Sequence, residues 1–200
     1  KISPSGKFLY VVNLSSGVLV GYAVDGATGN LTQIVGSPFK TSPTLTSSPF
    51  AITIDSSEKF VYVTNLQESS FAGFTMNSTT GTLTTIPGSP FPTGAGPSGI
   101  AEDPSGKYVY VSSLSGGNIY AYTIDAATGV PTELDSSPFT AGSGANFAVI
   151  DSSGKYLYYG SQTNKSINGF SIDASTGNLT GASGSPYNTN ANPTSMIILP

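Results

Sequence analysis

Short runs in which apolar residues alternate with small or hydroxylated ones recur along the chain, each bounded by turn residues. One stretch carries four: Ala51-Ile52-Thr53-Ile54, Phe60-Val61-Tyr62-Val63-Thr64, Phe71-Ala72-Gly73-Phe74-Thr75-Met76 and Thr82-Leu83-Thr84-Thr85-Ile86. β-Branched and aromatic side chains at a period of two fit pleated strands, and nothing sustains a helical period. The turns have their own chemistry. In Asp103-Pro104-Ser105-Gly106-Lys107 the carboxylate can accept from amides ahead of it, Pro104 presets its φ, and Gly106 can go left-handed. A second turn, Asp25-Gly26-Ala27-Thr28-Gly29, again places a capping oxygen before a glycine that closes a hairpin.

The whole set repeats. Ser3, Asp55, Asp103 and Asp151 open the first turn in successive copies, at offsets of 52, 48 and 48 residues. Asp25, Asn77, Asp125 and Asp173 open the second. A fixed period of about 48 residues marks a propeller or solenoid. The copies run approximately over 1–48, 49–96, 97–144 and 145–200, and read as a single domain spanning residues 1–200. Aromatics fall at matched positions (Phe8 and Tyr10, Phe60 and Tyr62, Tyr108 and Tyr110, Tyr156 and Tyr158). On the next strand Tyr22, Phe74, Tyr122 and Phe170 each follow a small residue, Gly21, Gly73, Ala121 or Gly169. Large beside small suits sheets stacked face to face. The expected fold is all-β, a β-propeller of four-stranded antiparallel blades. Between copies lies a Ser-Pro-aromatic signature (Ser37-Pro38-Phe39, Ser89-Pro90-Phe91, Ser137-Pro138-Phe139, Ser185-Pro186-Tyr187). There the proline is expected to end the outer strand and the aromatic to pin the crossing loop.

Composition narrows the partners. Charged residues make up 9% of the chain, the formal net charge is −4, and the seven basic residues are all lysine. Nucleic acid is therefore not expected as a partner, since it requires a basic patch. No apolar run reaches the roughly 20 residues of a membrane span. With no cysteine or histidine, thiolate chemistry, a serine–histidine–acid triad and an ordinary zinc site are all excluded from this sequence. No metal or cofactor is expected. Abundant Ser, Thr, Gly and Asn suggest a bacterial protein exported to the periplasm, cell surface or medium. The chain opens with Lys1 rather than Met, as it would after removal of a leader or as a piece of a longer protein.

Val61-Tyr62-Val63-Thr64-Asn65 reproduces the motif for which YVTN-repeat propellers are known, and Tyr10-Val11-Val12-Asn13 and Tyr110-Val111-Ser112-Ser113 are close variants. The chain thus resembles the lactonase-type seven-bladed β-propellers, which include 6-phosphogluconolactonase-like and muconate-lactonising proteins. The resemblance implies a seven-bladed ring, of which four repeats are present. Lys1-Ile2-Ser3 aligns with the end of an innermost strand, and Ser195-Met196-Ile197-Ile198 with the whole of one. The expected arrangement is a segment of a larger ring whose open faces invite association. The alternative is a closed four-bladed ring, with the C-terminal strand completing the first blade, or two copies joined into a larger ring.

Few side chains carry chemistry. The repeated aspartates serve the turns. Glu102 stands where the other innermost strands have Ile54, Ile150 and Ile198, so a carboxylate could face the central channel and act as a general base if burial raised its pKa. The ligand face of a propeller is formed by the crossings and by the loops between second and third strands. In this chain it would hold Asn13, Asn65, Ser113 and Ser161, with Asn146 and Phe147 near a crossing. Amides and hydroxyls beside aromatics suit a neutral ligand such as a carbohydrate, or a protein. The residues alone favour a non-catalytic binding or scaffold module; the resemblance implies, as the alternative, an enzyme that hydrolyses or forms a sugar or organic-acid lactone.

Overall fold

In the computed structural model, which describes residues 1–44 and 46–198, the repeated strand patterns become four twisted antiparallel sheets. The first sheet holds β1 (Phe8–Asn13), β2 (Val18–Val24), β3 (Leu31–Gln33) and β4 (Phe39–Lys40). The second holds β5 (Pro49–Ile54), β6 (Phe60–Asn65), β7 (Ser70–Met76), β8 (Leu83–Thr85) and β9 (Phe91–Pro92). The third runs through β10 (Pro97–Glu102), β11 (Tyr108–Ser113), β12 (Asn118–Ile124), β13 (Pro131–Glu133) and β14 (Phe139–Thr140). The fourth comprises β15 (Ala145–Ile150), β16 (Tyr156–Ser161), β17 (Ser166–Ile172), β18 (Leu179–Gly181) and β19 (Tyr187–Asn188). Each sheet is one blade. The outer line of a blade is split: β8 pairs with the far half of β7, and β9, just past the Ser-Pro turn, pairs with its near half. The aromatic expected to pin the crossing loop therefore lies on a short strand of its own.

Both turns work as their sequences predict. Asp55 accepts from the amides of Lys59 and Phe60 at 2.6 and 2.7 Å, and Asp103 from that of Tyr108 at 2.7 Å. In the second turn Asp25 accepts from Ala27 and Thr28 at 2.9 and 2.8 Å, and Asn77 makes the equivalent pair. The amides of one tight turn are thereby satisfied without a strand partner.

The core lies in the seams between blades. One cluster packs Phe8, Tyr10 and Leu19 of the first blade on Ile54, Val61, Val63 and Phe74 of the second. The next packs Phe60, Tyr62 and Phe71 on Ile100, Val109, Val111 and Tyr122, and the third packs Tyr108, Tyr110 and Ile119 on Ala148, Leu157 and Tyr159. A latch recurs in all three. The hydroxyls of Tyr10, Tyr62 and Tyr110 donate to the carbonyls of Gly81, Gly129 and Gly177 in the following blade. Each of these glycines has a φ of +72 to +74° and sits against Phe8, Phe60 or Tyr108, where an added Cβ would come within 2.5 Å of the ring.

The ring is an open arc. Among the described residues no core cluster joins the fourth blade to the first. Lys1–Ser3 occupies the innermost position of the first blade, with Ile2 bridging to Leu9. The expected C-terminal innermost strand, Ser195–Ile198, makes no strand ladder among the described residues. An innermost strand is held by the second strand of its own blade, and the place beside β1 is already taken. The closed four-bladed ring is thus not the arrangement adopted. At the ends, residues that are buried in the seams lie open. Val11 is 45% exposed where Val63 and Val111 are fully buried, and Tyr156 is 42% exposed where Phe8, Phe60 and Tyr108 are at most 6%.

Candidate active site

The innermost strands β5, β10 and β15 stand side by side along the inner edge of the arc. Two cavities open there. One, of about 410 Å³, lies between the Ser3-Pro4 turn, Thr53, Ser56 and the Asp103-Pro104 turn. The other, of about 310 Å³, is bounded by Ile52, Ile100, Val149 and Ile197. Glu102 borders both.

The side chain of Glu102 refines the sequence reading. Residues two apart on a strand share a face, so Glu102 lies on the face of Ile100, which packs in the seam between second and third blades. Both carboxylate oxygens are inaccessible and have no hydrogen-bond partner. The residue thus borders the inner cavities while its carboxyl is turned into the seam. Burial pushes its pKa from 4.5 up to about 8, and the charges of Asp55 and Asp103 add to the shift. An unpartnered carboxylate is costly in such a place, so the group holds its proton at neutral pH. The same surroundings, burial first and then Glu102 and Asp55, raise the pKa of Tyr62.

The other residues singled out from the sequence are dispersed along the arc and mostly committed to internal bonds. Asn65 is fully buried; its amide nitrogen donates to the Thr41 carbonyl and to Ser70 Oγ, while Oδ1 has no partner. Ser113 Oγ donates to the Ala95 carbonyl at 2.5 Å, and Ser161 Oγ to the Ser143 carbonyl at 2.7 Å. These three fasten the crossing loop to the end of the second strand, once per blade. Asn146 is buried, and its carbonyl accepts from Ser98 and Ser112. Phe147 fills the space over Gly160, where a Cβ would come within 2.3 Å of its ring. Asn13, on the first blade, is exposed. Among the described residues no three His, Cys, Asp or Glu side chains converge as a metal site would require.

Two contacts escape sequence reasoning. Glu58 replaces the glycine of the first turn in the second copy, takes a φ of +57°, and reaches back to Ser5 of the first blade, accepting from its amide and, at 3.0 Å, from its Oγ. The departure from Gly at that register was the available signal. The Tyr-to-Gly latch joins residues 67 to 71 apart in different repeats. Only the recurrence of Tyr at one register and Gly at another hinted at it.

Residues 1–90 and 82–193 each match the family model described as Lactonase, 7-bladed beta-propeller. The chain belongs to the lactonase family of seven-bladed β-propellers. No curated protein matches it. Among solved structures it is similar to a protein of Bacteroides fragilis provisionally designated a 6-phosphogluconolactonase, at 24% identity and a TM-score of 0.78, over 92% of this chain and 52% of that one. A protein of Bacteroides uniformis with the same provisional designation gives 19% identity and a TM-score of 0.80, over 92% and 52%. The periplasmic gluconolactonase of Pseudomonas aeruginosa gives 16% and 0.78, over 94% and 54%. At these identities the likeness establishes the fold. The chain spans about half the length of these structures, in keeping with an arc of four blades from a larger ring. Among the described residues no helix is long and apolar enough to cross a membrane.

Proposed function

We propose that this lactonase-family propeller acts on a lactone at the inner edge of its arc, as a hydrolase of sugar-acid cyclic esters, with Glu102 as the proton-handling group. The observation that carries this reading is the unpartnered carboxyl of Glu102, standing where the repeat otherwise places isoleucine and bordering both inner cavities. Family membership and the names of the structural neighbours support lactone chemistry over a non-catalytic scaffold. Three of the six residues that suggested a ligand-binding face, Asn65, Ser113 and Ser161, already spend their polar groups holding crossing loops, which counts against that alternative.

Hydrolysis adds water across the acyl C–O bond of the ring. The water oxygen bonds to the carbonyl carbon, the ring oxygen leaves, and the oxygen that becomes a hydroxyl needs a proton. A carboxylic acid with a pKa near 8 can supply that proton at neutral pH and recover one from the attacking water. To meet a substrate, Glu102 turns from the seam toward the cavity it borders. Export belongs to this reading as well, supported by the Ser-, Thr- and Asn-rich composition and by the periplasmic location in the Pseudomonas neighbour's name.

Proton release from a panel of sugar-acid and aliphatic lactones tests the proposal. The expected result is turnover above background that falls at least 100-fold in Glu102→Gln, with kcat/KM declining as pH rises through about 8. Turnover untouched by that substitution would remove Glu102 from the mechanism. No turnover of any lactone by folded protein would contradict the hydrolase reading for this chain.

A further inference from the structure

Three departures from the repeat meet at the outer rim of the seam between first and second blades. They form a cleft of about 220 Å³ lined by Lys40, Ser42, Pro43, Thr85, Ser89 and Pro90. The first departure is length. Pro49 lies ten positions after Phe39, whereas Pro97 and Ala145 lie six after Phe91 and Phe139. The longer crossing is fastened in place: the Thr41 hydroxyl pairs with that of Ser47 at 3.0 Å, and the hydroxyls of Thr44 and Thr46 donate to Glu68. The second departure is charge, since Lys40 stands where the other blades have Pro92, Thr140 and Asn188. The third is a missing cover. In every Ser-Pro turn the serine Oγ accepts from a strand amide, at 2.9 to 3.2 Å. In the first and third blades the last residue of the short outer strand also folds over that turn. Gln33 Nε2 donates to the Ser37 carbonyl at 3.0 Å, and Ser137 Oγ donates to Glu133 at 2.7 Å. In the second blade the same register holds Thr85, which is too short to do this, and the cleft opens over Ser89. In the fourth blade Gly181 also leaves Ser185 uncovered, but the crossing before it begins Thr140-Ala141-Gly142 in place of Lys40-Thr41-Ser42.

We propose that this cleft binds a small polyhydroxylated carboxylate, held at its carboxylate by Ser89 and Lys40. The chain shows the pairing on itself, because at the matching register of the third blade the Glu133 carboxylate takes the Ser137 proton. Ser89 Oγ accepts from the Gly73 amide and still has its own proton to give. Lys40 adds the positive charge that makes a bond to a carboxylate stronger than a neutral one. The hydroxyls of Ser42 and Thr85 suit a polyol, and Pro43 and Pro90 give its C–H surface apolar walls. An open-chain sugar acid and a uronate unit of an acidic polysaccharide both offer this chemistry. The cleft shares no residue with the cavities at Glu102, so the inference stands apart from the lactone reading. Loops that depart from a rigid repeated scaffold are where binding sites concentrate.

Amide NMR of the 200-residue chain, titrated with gluconate, with a galacturonate oligomer and with neutral sorbitol, tests this. The expected result is saturable shifts at the amides of Lys40, Ser42, Thr85 and Ser89 with at least one acid, and none with sorbitol. The acid that binds more tightly tells which source fits, a free sugar acid or a polysaccharide. Lys40→Gln should weaken binding about 10-fold or more. Thr85→Glu, at an exposed position, rebuilds over Ser89 the cover that Glu133 gives Ser137, and should abolish binding with the rest of the spectrum unchanged. Thr85→Gln, which restores the uncharged cover of Gln33, should weaken it as well. Four results would overturn the proposal: no shifts at this cleft with either acid; sorbitol binding as well as the acids; shifts confined to residues around Glu102, which would put the acid in the inner cavities; or an affinity unmoved by Lys40→Gln and Thr85→Glu.

Discussion

The first and second seams share one plan of aromatic and β-branched residues and differ in kind at one register of the innermost strand. Where the second blade's innermost strand ends, Ile54 packs with Val61 and Val63 against the first blade. At the same register in the third blade, Glu102 takes that place and leaves two carboxyl oxygens buried without a partner. At the matching register the sequence has isoleucine at Ile54, Ile150 and Ile198, and packing explains Ile54 and Ile150, which lie with the seam clusters. The exception keeps the surrounding strand pairing, with Glu102 opposite Val109 as Ile54 is opposite Val61. A repeat protein can absorb one unfavourable residue because its neighbours restate the architecture on both sides. This difference is what supports the proposal that Glu102 is there for its chemistry, since unpaired buried groups cluster at functional sites.

The comparison can be sharpened by making the second seam like the first. Glu102→Ile should stabilise the protein at pH 8 and above by a few kcal/mol, while removing any lactone turnover. The sign follows from the raised pKa. Between 4.5 and about 8 the folded chain keeps a proton that the unfolded chain has lost, so stability falls as pH rises through that window and levels off above it. Denaturant titrations of the native chain and Glu102→Ile at pH 4 and pH 8.5 should show the variants' advantage at the higher pH and most of it gone at the lower. An equal advantage at both would mean that shape rather than charge sets the difference.

The hairpin glycines break the comparison in another way, by contrasting a sealed seam with an open face. Gly129→Ala should cost about 2–4 kcal/mol, from the left-handed φ together with the clash against Phe60. Gly29→Ala, with the same φ and empty space around it, should cost only about 1–2 kcal/mol. Smaller still is the latch. Tyr62→Phe removes a 2.7 Å hydrogen bond in the buried seam and should cost about 1–1.5 kcal/mol. Tyr158→Phe, on the open face of the fourth blade where its hydroxyl has no latch partner among the described residues, should be neutral. Thermal unfolding of the four variants gives the ranking.

Much of the fold is legible in the sequence, because each blade states it again. The four strand patterns, the Asp-led turns and the aromatic-beside-glycine pairs are local, and local rules assign them. What the sequence hides is which face each strand turns to which neighbour. Glu102 could be placed on the innermost strand by register, but its burial depends on the fold of the adjacent repeat around Tyr62 and Asp55. Asn65, Ser113 and Ser161 looked like ligand groups because amides and hydroxyls in loops serve both ligands and the chain. Their internal acceptors, Thr41, Ala95 and Ser143, belong to the preceding crossing and are 18 to 24 residues away. The open ends were foreseeable from the count of repeats, whereas the position of Lys1–Ser3 beside β1 was foreseeable only in part.

A carboxyl carbon titration by NMR of the folded chain, assigned with Glu102→Gln, reads directly whether Glu102 is protonated inside the seam. A Glu102 midpoint near 8 is the predicted result. A midpoint near 4.5 would place an ordinary solvated carboxylate there and contradict both its burial and its proposed role.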